Sequence, residues 1–243
     1  MKKILLASSC MVLAAMAYGQ NVTGPSSTRA PYLFPSATGV KFVSIITAGD
    51  AVNGYVCAGI PDGAGGWDNG DGTFTLLVNH EIPNNSAAVR AHGSNGAFVS
   101  KWIVNKSDWK VVSGSDLMQR VQVWNGTGFT LYSPTNPSTA ASFSRFCSGD
   151  VPAVSALYNL TSNKGTKERM MLNGEESGVE GRPLAHIATG PNAGTSWELT
   201  FLGKMAFENV IASPYEQDKT VVGLTDDGTG GQVYFYIGDK KST

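Results

Sequence analysis

The chain has 243 residues, a formal charge of −1 and 15% charged residues, against about 25% in ordinary globular proteins. With no basic patch, that balance excludes electrostatic capture of nucleic acid or of an anionic membrane. Glycine supplies 29 residues, falling between short apolar runs, which is the composition of a chain with many turns.

Lys2 and Lys3 precede an apolar run over residues 4–17, and Ala15, Ala17 and Gly19 offer a cleavage site, so residues 1–20 read as a secretory signal peptide. The run is shorter than the ~20 residues that cross a bilayer. No membrane span is expected, and the mature chain is expected to be exported, periplasmic or extracellular. Cys10 leaves with the leader. Cys57 and Cys147 remain as an even pair in an oxidising setting, open between a disulfide and two buried thiols; a metal-ligand thiol ranks a distant third, because no second Cys or His lies at the usual short spacing to either.

Residues 21–40, rich in Pro, Ser, Thr and Gly, read as an extended lead-in. A first strand is expected over residues 41–47, then a turn at 49–54 and a short run at 55–60. In WDNGDGTFTLLVNHE, residues 67–81, the Asp-Gly pair at 71–72 signals a hairpin turn, because only glycine takes positive φ at little cost. Residues 73–78 form an apolar strand without clean alternation, as expected when both faces are buried. It stops on Asn79, His80 and Glu81.

The loop 82–96 carries Arg90 and His92, which point the same way in an extended segment and suit either an anion-binding edge or solvent. A strand over 98–104 follows. Residues 120–124 and 129–132 flank Asn-Gly-Thr-Gly as a hairpin. Residues 143–153 have no clear period, so Arg145, Cys147 and Asp150 fit either a site or an irregular buried connection.

From residue 169 onward strands are expected at 170–172, 184–189, 197–202, 210–212, 220–224 and 232–237. No run keeps a 3.6-residue period over ten positions, so the fold class is all-β. Two of these strands again stop on paired acids, Glu175 with Glu176 and Asp226 with Asp227. Glu176 and Asp227 lie 51 residues apart, and Glu81 and Glu176 lie 95 apart, near one and two propeller units of ~50 residues. The expectation is a β-propeller-like domain over 41–243, incomplete with three to four blades, which would make the chain a fragment of a longer protein. A β-sandwich would also give short strands, but no reason for acids to recur at their ends.

The strand-end carboxylates Glu81, Glu175, Glu176, Glu208, Asp226 and Asp227 would converge on a channel mouth. Crowded carboxylates repel unless they protonate or bind cations. Oxygen ligands without clustered thiols favour Ca²⁺ over zinc. As solvated turn acids they would bind nothing.

At these residues the chain resembles the PhoX-type alkaline phosphatases and their relatives, exported bacterial β-propellers that use calcium and iron. Asn79-His80-Glu81 resembles the family's Asn-His-Glu, and Glu175-Glu176 resembles its paired glutamates. Glu208 with Asp226 and Asp227 resembles its later Glu and Gly-Asp-Asp-type strand end. The likeness runs from about residue 62 to 238. It implies hydrolysis of phosphate esters, with Glu81, Glu175, Glu176, Glu208 and Asp227 as metal ligands for Ca²⁺ and Asn79 as a contact to substrate phosphate. Arg90 is a further clamp candidate outside any family motif. Two positions depart from the pattern. Gly174 stands where the family has a cysteine ligand to iron, which puts Fe³⁺ in doubt, and Ala206 stands where it has an arginine. The alternative is a non-catalytic calcium-binding propeller acting as a binding or structural module.

Overall fold

A computed structural model describes residues 21–242. The leader expected over residues 1–20 lies outside the described residues. The fold is all-β, built from three larger sheets and three short two-stranded ladders.

The first sheet is an antiparallel meander of β1 (Pro61–Asp68), β2 (Thr73–His80), β3 (Phe98–Asn105) and β4 (Val111–Asp116), in that order. Gly70 and Gly72, at φ +79° and +90°, close the β1–β2 hairpin that Asp-Gly predicts. Strand β2 pairs along its length with β1 and β3. Its two faces meet different cores, Leu77 in one and Leu76 and Val78 in the other, hence the missing alternation.

The second sheet takes the hairpin β5 (Arg120–Trp124) and β6 (Phe129–Tyr132), then β7 (Phe146–Asp150), β8 (Met170–Glu175), β9 (Pro183–Ile187) and β10 (Thr195–Glu198). Strands β7 to β10 form a meander, and β5 adds to its outer edge parallel to β10. The third sheet is the meander β11 (Phe207–Ala212), β12 (Lys219–Asp226) and β13 (Val233–Asp239).

The sheets stack through two cores. Leu77, Val99, Met118, Phe146, Met171 and Leu184 fill the space between the first and second sheets. Met170, Leu172, Phe207, Val210, Val222 and Leu224 fill that between the second and third. Each fully buried large apolar side chain contributes roughly 1.5–3 kcal/mol. A third cluster around Trp102, Val104, Val111 and Cys57 covers the far face of the first sheet with the N-terminal segment. The lead-in is held there: Thr28 donates from N–H and Oγ1 to Asp50 at 3.0 and 2.6 Å.

The first strand of each meander lies next to that of its neighbour, with β7 packed between β1 and β11. Glycine permits the approach. A Cβ on Gly63 would lie 2.2 Å from the Gly149 nitrogen, and one on Gly65 would lie 2.7 Å from the Val151 side chain. Among the described residues no closed propeller or barrel forms. The 95-residue interval between Glu81 and Glu176 spans one sheet step, not two blades, because the added hairpin β5–β6 lies within it.

Candidate metal centre

Each of the three adjoining strands β1, β7 and β11 carries a register shift at the same end of the stack. Along β1, Pro61 faces His80 and Ala64 faces Val78, so Asp62 and Gly63 together oppose Asn79. Along β7, Phe146 faces Glu175 and Gly149 faces Asn173, so Cys147 and Ser148 together oppose Gly174. Along β11, Glu208 is the extra residue between Phe207, facing Asp226, and Asn209, facing Thr225. A bulge leaves its residues outside the ladder and re-aims their side chains.

The result is a thiol among carboxylates. One ligand atom each from Cys147, Glu176 and Glu208 lies within 4.8 Å of the others, and Cys147 Sγ is 4.0 Å from Glu208 Oε2. Arg145, at φ +51°, donates from Nε to Glu81 Oε1 at 2.9 Å and from Nη2 to Glu176 Oε1. Asp227 hydrogen-bonds with Glu176, and Asp62 acts on Cys147 electrostatically.

Burial and then crowded negative charge shift these groups. Burial, aided by the hydrogen bond with Glu176 and by Asp62 and Glu208, pushes the Cys147 thiol up to about 12. Burial first, then the Asp227 carboxyl, raises Glu176 against the opposing pull of Cys147 and Arg145. A cation would relieve both, since opposite charge favours the ionised forms. The donor set fits one. The thiol beside two carboxylates suits a borderline or soft transition metal, while Glu81 and Asp227 border the set through Arg145 and Glu176 and complete no second group of ligands among the described residues.

Of the residues singled out in the sequence, Glu176 and Glu208 lie in the group, Glu81 and Asp227 border it through Arg145 and Glu176, and three others do not serve as expected. Glu175 neighbours Glu176 but points to the opposite face of β8, as strand alternation requires. There it is 4% exposed and receives Arg182 Nε at 2.6 Å, Arg182 N–H at 3.1 Å and Ser144 N–H at 2.8 Å, which leaves its carboxylate committed to the protein. Arg90 is held away from the group. It pairs with Asp116, donates to Tyr55 Oη at 3.0 Å and lies 3.8 Å over the Phe98 ring. Asn79 is fully buried, and its Nδ2 donates to the Cys147 and Ser148 carbonyls at 2.9 and 3.0 Å. Both donor hydrogens are used, so Asn79 supports the bulge and has none left for a phosphate.

Cys147 and Arg145, which the sequence left open between a site and an irregular buried connection, are members of the group. Position 174 has no room for a side chain, because a Cβ on Gly174 would lie 2.4 Å from Phe207 Cβ. The sulfur of the group belongs to Cys147, across the ladder from Gly174. Cys57 and Cys147 are both free thiols, which settles the disulfide alternative. Asp150 is structural, its Oδ2 accepting the Ala212 N–H at 2.9 Å. Compared with protein-family models, curated proteins and solved structures, the chain finds no match in any of the three.

Proposed function

We propose that this chain is an exported metal-dependent phosphoesterase of PhoX-like type, hydrolysing phosphate esters at the carboxylate and thiol group on β1, β7, β8 and β11. The observation that carries the reading is the convergence of Cys147 on β7, Glu176 just past the end of β8 and Glu208 on β11, with ligand atoms within 4.8 Å. The resemblance in Asn79-His80-Glu81 and Glu175-Glu176 supplies the reaction class.

Cys147, Glu176 and Glu208 would hold an iron-like ion, with Glu81 and Asp227 available to Ca²⁺. When bound, such ions neutralise phosphate charge and supply Lewis acidity. The remaining roles belong to the chain. Arg145 presents a planar guanidinium beside the group, and its fork matches two phosphate oxygens, a task for which Ala206 has no functional group. Glu81 orients Arg145 through the 2.9 Å ion pair.

A second reading, a metal-binding structural module without catalysis, is favoured by one observation: Arg145 already spans Glu81 and Glu176. Metal analysis of purified protein, with p-nitrophenyl phosphate turnover measured with and without added Ca²⁺, separates the two. Bound metal with turnover lost in Arg145→Ala supports the enzyme. Bound metal without turnover leaves the structural module, and no bound metal overturns both.

A further inference from the structure

The two carbonyls released by the Cys147–Ser148 bulge are not left to solvent, and the groups that hold them form one continuous buried chain. Asn79 Nδ2 donates to both carbonyls at 2.9 and 3.0 Å. Asn79 Oδ1 accepts from Asn173 Nδ2 at 2.9 Å. Asn173 Oδ1 meets His186 Nε2 at 2.9 Å, and His186 Nδ1 meets Ser196 Oγ at 2.8 Å. Asn79, Asn173, His186 and Ser196 are each 0% exposed.

The polarity of this chain follows from its end. A carbonyl oxygen can only accept, so Asn79 must present its amide nitrogen to the bulge and its oxygen to Asn173. Asn173 must then turn its nitrogen to Asn79 and its oxygen to His186. Nε2 of His186 must carry the proton, and Nδ1 accepts from the Ser196 hydroxyl. Burial favours the same neutral form, pushing His186 down to about 3.

We infer that Asn79, Asn173, His186 and Ser196 are a positioning relay. By fixing the bulge carbonyls from behind, it aims the Cys147 thiol at Glu176 and Glu208. The inference rests on the proposed metal role only for its consequence; the relay itself is a property of the metal-free protein. His186 touches neither Cys147 nor any carboxylate of the group, so its effect on the thiol must pass through Asn173 and Asn79.

The test uses the full chain in a Cys57→Ser background, with Asn79→Leu and His186→Phe as relay variants. Ser100→Ala serves as the control, because it breaks a buried network of the first sheet, with His80 Nε2 and Trp102 Nε1 each 2.8 Å from Ser100 Oγ, at no contact with Cys147. The readouts are the iodoacetamide rate of Cys147 without metal and the thiolate-to-cobalt absorption band on titration with Co²⁺. Both relay variants should change the alkylation rate at least tenfold and weaken Co²⁺ binding at least tenfold, while the control leaves both within twofold.

If wild type binds no Co²⁺, the metal reading fails, yet altered alkylation in the variants still supports the relay. Unchanged alkylation in both variants overturns the relay whatever the metal does. Should the variants not fold, ¹⁵N chemical shifts of His186 in wild type decide: a proton on Nε2 at neutral pH supports the relay, and one on Nδ1 overturns it.

Discussion

Glu175 and Glu176 are adjacent acids whose substitution should have opposite consequences, because one side chain is enclosed and the other faces the group. Glu175→Gln leaves Arg182 as a buried charge without its counter-ion, a change that costs about 3–5 kcal/mol in comparable buried pairs, and it should leave metal affinity unchanged. Glu176→Gln removes a charge that a cation needs and relieves repulsion with Asp227. Its metal-free stability should stay within about 0.5 kcal/mol of wild type, while the metal-induced rise in melting temperature shrinks. Melting curves of both variants with and without metal check the pair. Buried imidazoles set a second expectation. Burial lowers His80 to about 4 and His186 to about 3, so the folded state binds fewer protons than the unfolded one below the unfolded value of about 6.5. Their contribution is therefore fully present above that value and is lost as pH falls from it towards 4. At roughly 1.4 kcal/mol per unit, the loss is on the order of several kcal/mol by pH 4, and urea midpoints should track it. A flat midpoint between about pH 7 and 4.5 would contradict the buried neutral assignments. At this scale the sequence was partly legible. Strand-end acids announced themselves, but Cys147 meets Glu176 across a ladder and a bulge, a relation that chain spacing does not encode.

Among the elements, those with β-branched or apolar runs were readable: β2, β3, the β5–β6 hairpin, β8, β9 and β12 all lie where hydrophobicity and Asp-Gly or Asn-Gly turns place them. Strands β1, β4 and β7 were not. Their sequences, PDGAGGWD, VVSGSD and FCSGD, trade apolar side chains for glycines that allow close approach, or break their period at a bulge. The expected strand over 197–202 ends at Glu198, where residues 200–202 turn into a 3₁₀ segment. Close packing makes a direct prediction at Gly174. Gly174→Cys, which would bring the sequence closer to the PhoX-type pattern it resembles, drives a side chain into Phe207. It should cost about 1–3 kcal/mol, as overpacking does, without raising metal affinity. Denaturant midpoint and metal titration of that variant check both halves.

For the whole molecule, the acidic strand ends recur because Glu81, Glu176 and Asp226 each terminate or follow the second strand of successive meanders. That repeat and an incomplete set of three to four blades were read from the sequence, whereas the way the sheets stack was not, since it depends on contacts between them. The outer face of the third sheet exposes Ile211, Val233, Phe235 and Ile237 at 51–71%, and β13 is an edge strand with no charged residue before Asp239. Exposed apolar edges template pairing, so the protein should associate with rising concentration. Phe235→Lys should reduce that association in sedimentation velocity without lowering the melting temperature; association unchanged by the variant would place the contact elsewhere. The central claim, that a thiol and carboxylates from separate strands form one metal site, is tested most directly by X-ray absorption at the zinc edge of Zn²⁺-loaded protein. One sulfur scatterer at about 2.3 Å with oxygens at about 2.0–2.2 Å, the sulfur vanishing in Cys147→Ser, is the expected result. A shell of oxygen alone in wild type, or a sulfur that survives Cys147→Ser, would contradict it.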